Sequence, residues 1–477
     1  MRAKRLHSFS NFKHMKTNRR DFIRLAGIAG VGLAGTNLIK SCSSETVETR
    51  AGQQFNMCGY AAPKLETVRI GFIGLGQRGP GAVNRMSHIE GVEIKALCDL
   101  RPDRINVVKE QIANTDHDPV TYSGNEEAWK ELCERDDIDL VYICTPWHLH
   151  TPMAVYAMKQ GKHVCTEVPA AVTIDECWEL VETSESTKKH CMMLENCCYD
   201  FFELLTLNMA RQGFFGDIIH CEGAYIHDLR ELNFSKGGYQ DMWRLRANQR
   251  KGNLYPTHGL GPIAQIMDIN RGDRMDYLVS TSSNDFMMHK IAEELAASDE
   301  FYEPFTDATY RGNMNTSTIR TINGGTMMIQ HDVTSPRPYS RIHLVSGTEG
   351  FARKYPGPTR ISQGHEWFSD EEIKELEEKY KPKIIARVGE LAKEVGGHGG
   401  MDFIMDWRTI DCLRNGLALD QDVYDAATWS CITPLSEWSV QNRSNSIDVP
   451  DFTRGLWEKN QPVDISLEQG GNTKVLL

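Results

Sequence analysis

The chain has 477 residues, more than one hydrophobic core usually holds, so two domains are expected. Its hydrophobic fraction of 40% and charged fraction of 25% are typical of a soluble globular protein, and no interior apolar run predicts a transmembrane span in the mature chain. A formal net charge of -12 argues against a nucleic-acid partner, because phosphates require a basic surface, and favours a small neutral substrate.

Residues 1–45 have the anatomy of an export signal. In "TNRRDFIRLAGIAGVGLAGTNL" the pair Arg19 and Arg20 precedes an apolar stretch rich in Gly and Ala. The pair resembles the twin-arginine signal, which addresses folded proteins to the periplasm or cell envelope. A buried amphipathic helix is the alternative, although nothing upstream could bury it. Cys42 is placed like a lipidated cysteine, but Lys40 fits that pattern poorly, so lipidation stays open.

Residues 46–65 are interpreted as a linker. The chain has 13 cysteines, an odd number, and several lie in apolar strand-like runs. We therefore expect buried thiols and no essential disulfide, as in a protein that folds in the reducing cytoplasm. No spacing of Cys and His suggests zinc, and we expect no metal.

Residues 66–190 are predicted to form a Rossmann NAD-binding domain. "TVRIGFIGLGQRGPGAVNRM" runs from an apolar, β-rich stretch through Gly74, Gly76 and Gly79 into a helix. In such a turn the first glycine permits a tight bend and the second lets backbone approach a pyrophosphate. The third allows the helix to pack closely on the strand, and the helix start offers free N–H groups to phosphate.

Asp99 ends the next predicted strand, twenty residues after Gly79. An acidic side chain there can accept hydrogen bonds from both ribose hydroxyls and repel a 2′-phosphate, which favours NAD over NADP. Arg101 keeps NADP open. Capping of the following helix is the alternative role for Asp99.

Two further buried strands deliver polar side chains to the same edge of the sheet. "IDLVYICTPWHLH" brings Trp147 and His150 to its carboxyl end, and "GKHVCTEVPAA" brings Glu167. Ligands of open parallel sheets collect at those ends. Because residues two apart on a strand point to opposite faces, His148 and His150 are interpreted as cofactor contacts or helix caps and not as a metal pair.

Residues 191–477 are predicted to form a substrate-binding α+β domain with C-terminal helices. "GDIIHCEGAYIHD", "YLVSTSSN", "GGTMMIQHDV" and "RIHLVSGTEG" have the period of two expected of strands in a large, mostly antiparallel open sheet. "SDEEIKELEEKYKPKIIARVGELAKEV" is predicted to be a charged amphipathic helix on the surface. The expected fold class is therefore α/β, a Rossmann domain followed by an open-sheet domain.

The order of the glycine turn, "CTP", "EVPAA" and a second sheet domain resembles the Gfo/Idh/MocA oxidoreductase family. The segments "ENCCYDF", "GAYIHDLR", "NLYPTHGLGPIAQIMDINRGDR", "RPYS", "VSGTEG", "GHGGMDF" and "DVYDAATWS" resemble one branch of it, glycoside hydrolase family 109, the NAD-dependent α-N-acetylgalactosaminidases. This resemblance covers about residues 65–460.

The resemblance implies a glycosidase that removes terminal α-N-acetylgalactosamine from a glycan or glycoconjugate without net redox change. Hydride from the sugar's C3 would be held on NAD, the C3 ketone would acidify the C2 proton, and elimination would expel the oxygen at C1. Water would then add and the hydride would return. Related sugar dehydrogenases carry a proton-moving lysine where this chain has Val168. A tightly bound cofactor that is not consumed also suits export, since free NAD should be scarce in the periplasm.

The same motifs imply roles for individual residues. Tyr255 and His258 of "YPTH" are expected near the reacting hydroxyl, with His258 as the acid/base, against the alternative of a core histidine. Tyr199 is the candidate for removing the C2 proton, against simple packing on the cofactor. His398 is expected near the nicotinamide but outside the catalytic set, with a helix entry marked by its flanking glycines as the equal alternative. Substrate contacts are expected from Tyr225, Arg244, Tyr255 and Tyr339. Cofactor contacts are expected from Gly74, Gly76, Gln77, Arg78, Gly79, Asp99, Trp147, His148, Leu149, His150, Glu167, Val168, Asn196, Tyr255, Pro256, Thr257 and His258.

Other functions stay open at this point. The main rival is a periplasmic NAD-dependent sugar dehydrogenase that releases an oxidised product. A nonenzymatic sugar sensor is a third interpretation. A hydrolase with two catalytic carboxylates is a fourth, but it would make no use of the nucleotide-binding glycine turn. The sequence is compatible with a homo-oligomer formed through the open sheet, and it leaves the oligomeric state and the natural glycan open.

Overall fold

The structure, a computed structural model, describes residues 52–53, 55–237 and 242–477. The predicted export signal and Cys42 therefore lie outside the described residues. Part of the predicted linker is packed on the body of the protein: Met57 is 2% exposed, and the Leu65 N–H donates to the Leu413 carbonyl at 3.1 Å. Within the described residues, no helix combines the length and apolarity that a membrane crossing requires.

The first sheet has six parallel strands in the order β3-β2-β1-β4-β5-β6. The strands are β1 (Val68–Ile73), β2 (Val92–Cys98), β3 (Val120–Tyr122), β4 (Leu140–Ile143), β5 (His163–Thr166) and β6 (Cys191–Met193). Strands β4 and β5 are buried along their whole length, which explains their apolar runs. Strand β6 lies just past residue 190, where the domain boundary was expected. The strand order reverses between β1 and β4, and the carboxyl ends of the strands at this point form the usual ligand crevice.

Five helices accompany this sheet. They are α1 (Gly79–Ser87), α2 (Pro102–Gln111), α3 (Ala128–Cys133), α4 (His150–Lys159) and α5 (Ile174–Thr187). Helix α5 begins with a capping box, in which the Thr173 hydroxyl accepts from the Glu176 N–H and the Glu176 carboxylate accepts from the Thr173 N–H.

The second sheet has eight strands in the order β13-β12-β11-β7-β10-β9-β8-β14. The strands are β7 (Ile218–Ile226), β8 (Met275–Ser282), β9 (Asn315–Thr321), β10 (Thr326–Asp332), β11 (Leu344–Gly347), β12 (Phe351–Arg353), β13 (Arg360–Ser362) and β14 (Ile447–Asp448). All neighbours are antiparallel except β7 and β10. The α/β fold class, with a Rossmann domain followed by a mostly antiparallel sheet, is confirmed.

The remaining helices surround the second sheet or return to the first. They are α6 (Phe201–Arg211), α7 (Arg230–Asn233), α8 (Trp243–Ala247), α9 (Thr257–Ile266), α10 (Met288–Ala296), α11 (Glu303–Thr306), α12 (Asp370–Lys379), α13 (Lys383–Val395), α14 (Met401–Asn415), α15 (Val423–Ser430) and α16 (Ile432–Gln441). Short 3-10 turns span Trp147–Leu149, Asn196–Tyr199, Glu300–Tyr302, His398–Gly400 and Leu456–Glu458.

The single charged helix expected from the sequence is wrong: the segment forms α12 and α13. Pro382 stands at the break, because proline lacks the N–H that a continuous helix would use and keeps the preceding residue out of the helical conformation. Helix α13 packs on α14 and has one buried face, as expected of a covering element.

Helix α14, which lies in the C-terminal half of the chain, packs against the Rossmann domain. It packs against α1 and β1, and almost every one of its residues is buried. Arg85 of α1 donates to Asp406 of α14 at 2.7 Å, and the Tyr142 hydroxyl of β4 donates to the same carboxylate at 3.0 Å. A C-terminal helix thus completes the packing of the N-terminal domain. The twelve cysteines of the described residues form no disulfide bond, and ten of them are buried.

Candidate active site

The turn between β1 and α1 requires glycine at two positions and leaves open space at a third. Gly74 has a φ of +89°, and a Cβ there would lie 2.8 Å from the Cys144 carbonyl group. A Cβ on Gly79 would lie 2.1 Å from the Gly74 carbonyl oxygen, whereas a Cβ on Gly76 would meet no atom within 4 Å. The tight turn and the open surface above Gly76 are the shape that admits a pyrophosphate.

Asp99 closes this turn from the end of β2. Its carboxylate accepts from the Leu75 N–H at 2.6 Å and from the Arg101 N–H at 2.8 Å. The Arg101 guanidinium pairs with Asp103 at 2.8 Å. Asp99 therefore fixes the backbone of the turn and of the residues before α2, although α2 itself has no side-chain cap. Its partly exposed carboxylate lies beside the turn, and recognition of the ribose hydroxyls stays a prediction.

A network of ion pairs connects the glycine turn with β5 and α14. Arg78 contacts Glu167 at 2.8 Å and Asp402 at 3.2 Å. Asp402 also lies 3.5 Å from Arg85 and 2.9 Å from the Nδ1 of His398. Burial opposes ionisation of Asp402, but the His398 hydrogen bond and the two arginines hold its pKa well below the ordinary value. The network fixes three predicted cofactor-side residues, Arg78, Glu167 and His398, around one buried carboxylate.

Other predicted cofactor contacts have different surroundings. Asn196 is buried and its amide donates to Asp402, so it belongs to the same network. The ring nitrogens of His150 lie 2.7 Å from the carbonyl oxygens of Pro169 and Thr145, so the ring connects two loops, and the cofactor contact of this residue stays a prediction. Val168 is 2% exposed and apolar, so it has no proton to move.

The remaining predicted cofactor contacts differ in exposure. Gln77 and His148 are exposed, and Leu149 is half-buried in the turn after β4. Pro256 and Thr257 are buried at the start of α9.

Five side chains form what we call the aromatic group: Trp147, Tyr225, Tyr255, His258 and Tyr339. Ring centroids are 5.6 Å apart for Trp147 and Tyr255, 4.8 Å for Tyr225 and Tyr255, and 4.8 Å for Tyr255 and His258. Tyr339 lies 6.3 Å from Tyr225 and is the most exposed of the phenols, at 38%. The group brings together side chains from the turn after β4, from β7, from the start of α9 and from the loop after β10, so predicted cofactor and substrate contacts meet there.

Close contact between α9 and β7 sets this arrangement. A Cβ on Gly259 would lie 2.2 Å from the Ala224 backbone nitrogen, and a Cβ on Gly223 would lie 2.2 Å from the Gly259 carbonyl oxygen. Because both residues are glycine, the helix touches the strand directly. Because His258 precedes Gly259, that contact places the centroid of the His258 ring 5.2 Å from that of Tyr225.

Arg244 lies over the aromatic group. Its guanidinium carbon is 5.2 Å from the Trp147 ring centroid and 5.3 Å from that of Tyr255, and the residue is only 9% exposed. It therefore stacks on aromatic faces at the site. Burial raises the pKa of Tyr255 well above its ordinary value, although Arg244 acts in the opposite direction, so this phenol is neutral and can donate a hydrogen bond.

His258 is paired with a buried carboxylate that the sequence analysis missed. Its Nδ1 lies 2.7 Å from one oxygen of Glu195 and 3.0 Å from the other. Glu195 is fully buried, yet the charge of His258 and its hydrogen bond hold the pKa of the carboxyl below the ordinary value. An ionised Glu195 keeps the proton on Nδ1 and leaves Nε2 free to exchange a proton with a ligand. Its position at the carboxyl end of β6, directly before Asn196, was the available signal.

Cys197 lies beside this pair, and ligand atoms of Glu195, Cys197 and His258 fall within 4.8 Å of one another. Burial raises the pKa of the Cys197 thiol well above its ordinary value, and metals bind the thiolate. The direct contact between His258 and Glu195 already satisfies both groups, so we interpret the cluster as a hydrogen-bonded pair.

The structure does not bring Tyr199 into the aromatic group. Its hydroxyl donates to Asp420 at 3.3 Å in a buried position, and burial raises its pKa well above the ordinary value. A buried neutral phenol held by a carboxylate is unsuited to remove a proton.

His227, which sequence reasoning also missed, lies beside the aromatic group. Its Nδ1 is 2.9 Å from the Tyr225 hydroxyl, and its ring centroid is 5.0 Å from that of Tyr339.

Two family descriptions match the chain in succession. Residues 68–195 match the NAD-binding Rossmann fold of the Gfo/Idh/MocA oxidoreductase family, and residues 199–459 match the C-terminal domain of glycosyl hydrolase 109. A glycosyl hydrolase family 109 protein of Bacteroides fragilis is 47% identical over 466 residues, covering 94% of this chain and 98% of that protein. A protein of Shewanella oneidensis named alpha-N-acetylgalactosaminidase is 45% identical over 462 residues, with the same coverage.

Solved structures share the fold at low identity. An oxidoreductase domain protein from Kribbella flavida has a TM-score of 0.60 and 14% identity, covering 81% of this chain and 100% of that chain. The scyllo-inositol dehydrogenase from Lactobacillus casei, solved with NAD(H) and scyllo-inositol, has a TM-score of 0.57 and 13% identity, covering 80% and 99%. At these identities the likeness shows the fold alone.

Proposed function

The chain belongs to glycoside hydrolase family 109 and is a glycoside hydrolase, and from this premise we propose that it removes terminal α-N-acetylgalactosamine from glycans or glycoconjugates. The observation that carries the proposal is the meeting of a nucleotide-type glycine turn and a histidine–carboxylate pair at one edge of the parallel sheet. The name of the Shewanella oneidensis relative supports the choice of sugar.

The residues present fit NAD as the cofactor. The open surface above Gly76 would receive the pyrophosphate, Asp99 the ribose, and Trp147 the nicotinamide side. When bound, NAD would supply reversible removal and return of a hydride at C3 of the sugar. We propose that it stays tightly bound and is not consumed.

Each residue of the site then has a defined task. His258 takes the proton of the C3 hydroxyl on Nε2 and later returns it, while Glu195 holds the ring and stabilises its protonated form. Tyr255 and Tyr225 donate hydrogen bonds to sugar oxygens, and Arg244 holds a hydroxyl or the acetamido oxygen. In the oxidised sugar the C2 proton is acidic: a base takes it, the C–H electron pair forms the C1–C2 double bond, and the glycosidic oxygen leaves C1 and takes up a proton. Water then adds its hydroxyl at C1 and a proton at C2, and the C3 ketone would be reduced again by the returned hydride.

A chromogenic aryl α-N-acetylgalactosaminide, offered without any oxidant, tests this function. We expect release of the aryl alcohol without accumulation of reduced cofactor, which is measured by the absorbance of reduced nicotinamide. Release of a ketosugar in stoichiometric amounts with reduced cofactor would instead show a sugar dehydrogenase. A substrate deuterated at C2 should lose its label to solvent during cleavage, and retention of the label would overturn the elimination.

A further inference from the structure

A cavity of about 280 Å³ adjoins the aromatic group. We call it the side cavity and define it by Trp147, Trp243, Arg246, Ala247, Arg250 and Thr433. Its volume is close to the lower limit, about 300 Å³, of pockets that take small organic ligands. Trp147 belongs to both places, since its ring stacks on Tyr255 and also lines the cavity. A group bound there would be a direct neighbour of the reacting sugar.

The sheet order places the side cavity beyond the glycine turn. Strand β1 ends at that turn, β4 leads to Trp147, and β5 leads to Val172 in the cavity wall. Trp147 and His148, two of the predicted cofactor contacts, also line the cavity, so the cavity borders the expected cofactor site as well as the aromatic group.

The walls of the cavity have the chemistry of a carbohydrate site. The rings of Trp147 and Trp243 lie 5.1 Å apart at 73°, and such indole faces suit the C–H surface of a pyranose. Thr433 is 2% exposed and contributes its buried side chain to the cavity wall.

The two arginines contribute differently. Arg250 is fixed, because it pairs with Glu437 at 2.7 Å and donates to the Val172 carbonyl at 3.0 Å. The Arg246 guanidinium carbon lies 5.4 Å from the Phe305 ring centroid at the exposed side of the cavity. Planar donors of this kind recognise hydroxyl and ring oxygens.

We propose that the side cavity binds the sugar residue to which the terminal N-acetylgalactosamine is attached, on the leaving-group side of the cleaved bond. The proposal rests on the proposed function and extends it from one sugar to a disaccharide unit. It makes the enzyme selective for glycan-linked substrates over simple glycosides.

The substitution Ala247→Phe tests this inference, because it fills the side cavity from a position outside the catalytic machinery. Two substrates are compared, methyl α-N-acetylgalactosaminide and a disaccharide with N-acetylgalactosamine α-linked to a hexose. We expect kcat/KM for the disaccharide to fall about tenfold or more and that for the methyl glycoside to change less than about twofold. Ala113→Phe, at an exposed position after α2, is the matched control.

The outcomes separate the inference from the proposed function. Equal losses on both substrates, or loss of copurified nucleotide measured by absorbance, would place the cavity in the terminal-sugar or cofactor site and overturn the inference. Unchanged kinetics on both substrates in well-folded Ala247→Phe would overturn it too. A native enzyme that cleaves neither substrate would overturn the proposed function, and this inference with it.

Discussion

At the scale of single residues, the pair formed by His258 and Glu195 carries the acid–base step that we propose for the site. A buried carboxylate that contacts Nδ1 through both oxygens selects the tautomer in which Nε2 is the base. It also compensates the charge that the ring acquires when it takes a proton. His258 was predicted from its motif, but the carboxylate lies 63 positions earlier in the chain and became evident only from the fold.

We expect Glu195→Gln to lower kcat/KM by about 10²–10⁴, the range in which general acid–base catalysis contributes. The amide keeps the shape but loses the negative charge that stabilises the ring when it takes a proton, so we expect the loss in kcat more than in KM. Steady-state kinetics on the aryl glycoside measure both constants. Glu377→Gln, on the exposed face of α12, is the control, and equal behaviour of the two variants would exclude a positioning role for Glu195.

Tyr199 shows the limit of motif-based assignment. Its motif, "ENCCYDF", was placed correctly beside the site, and the neighbouring Glu195 and Asn196 do reach it. The Tyr199 side chain instead points to Asp420, because the short turn Asn196–Tyr199 directs successive side chains to different sides. Direction within a turn depends on local dihedral angles, which a motif does not specify.

At the scale of elements, the glycine turn offers a matched pair of substitutions. Gly76→Ala meets open space, so we expect a normally folded protein whose added methyl group obstructs the pyrophosphate. Gly79→Ala would clash with the Gly74 carbonyl and should destabilise the turn itself. Nucleotide content after purification and thermal unfolding measure the two effects. Full nucleotide content in the Gly76→Ala variant would show that the glycine turn does not bind the cofactor.

A buried ion cluster joins α6 to the loop before β11. Glu203 contacts Arg341 at 2.6 Å and Lys354 at 3.0 Å, and Asp200 completes the cluster. Burial opposes ionisation of Glu203, but Arg341 and Lys354 lower its pKa from 4.5 to about 2. A carboxyl with a depressed folded pKa stabilises the protein above its unfolded pKa, and this stability is lost as the pH falls through the folded value.

We therefore expect the free energy of unfolding to decrease between about pH 4.5 and pH 2, with part of that slope due to Glu203. Glu203→Gln should cost up to about 3 kcal/mol at neutral pH, the lower end of the range for a broken buried pair, because Arg341 and Lys354 keep Asp200 as a partner. Urea unfolding at several pH values measures both quantities. If the free energy of unfolding of the variant falls with pH as steeply as that of the native protein, Glu203 does not cause the loss of stability in acid.

The elements found from the sequence are those with strong apolar patterns. Strands β1, β2, β4 and β5 of the first sheet and β7, β8, β10 and β11 of the second were predicted, but β9 was not. Its buried positions include Asn315 and Ser317, which hydrogen-bond to Ser280 of β8, so polar pairs replace the apolar alternation. Strands β12, β13 and β14 have two or three residues each, too few to show a period.

At the scale of the whole molecule, the proposed cofactor and the predicted export signal support each other. An enzyme that regenerates its cofactor in every cycle needs only one nucleotide per lifetime. A twin-arginine signal exports folded protein, so the cofactor can be bound in the cytoplasm and carried along. We therefore propose that the mature enzyme works in the periplasm or cell envelope with NAD already in place.

The double substitution Arg19→Lys and Arg20→Lys tests this coupling. The native chain, expressed in a bacterium with twin-arginine export, should be recovered from the periplasmic fraction with about one nucleotide per chain. The double variant should stay in the cytoplasm, because the signal requires both arginines, yet it should be folded, loaded with nucleotide and equally active per chain. Fractionation, nucleotide analysis and the aryl glycoside assay measure the three properties. Periplasmic protein that is active without bound nucleotide, or a double variant that is still exported, would show that folding with the cofactor and export are not linked.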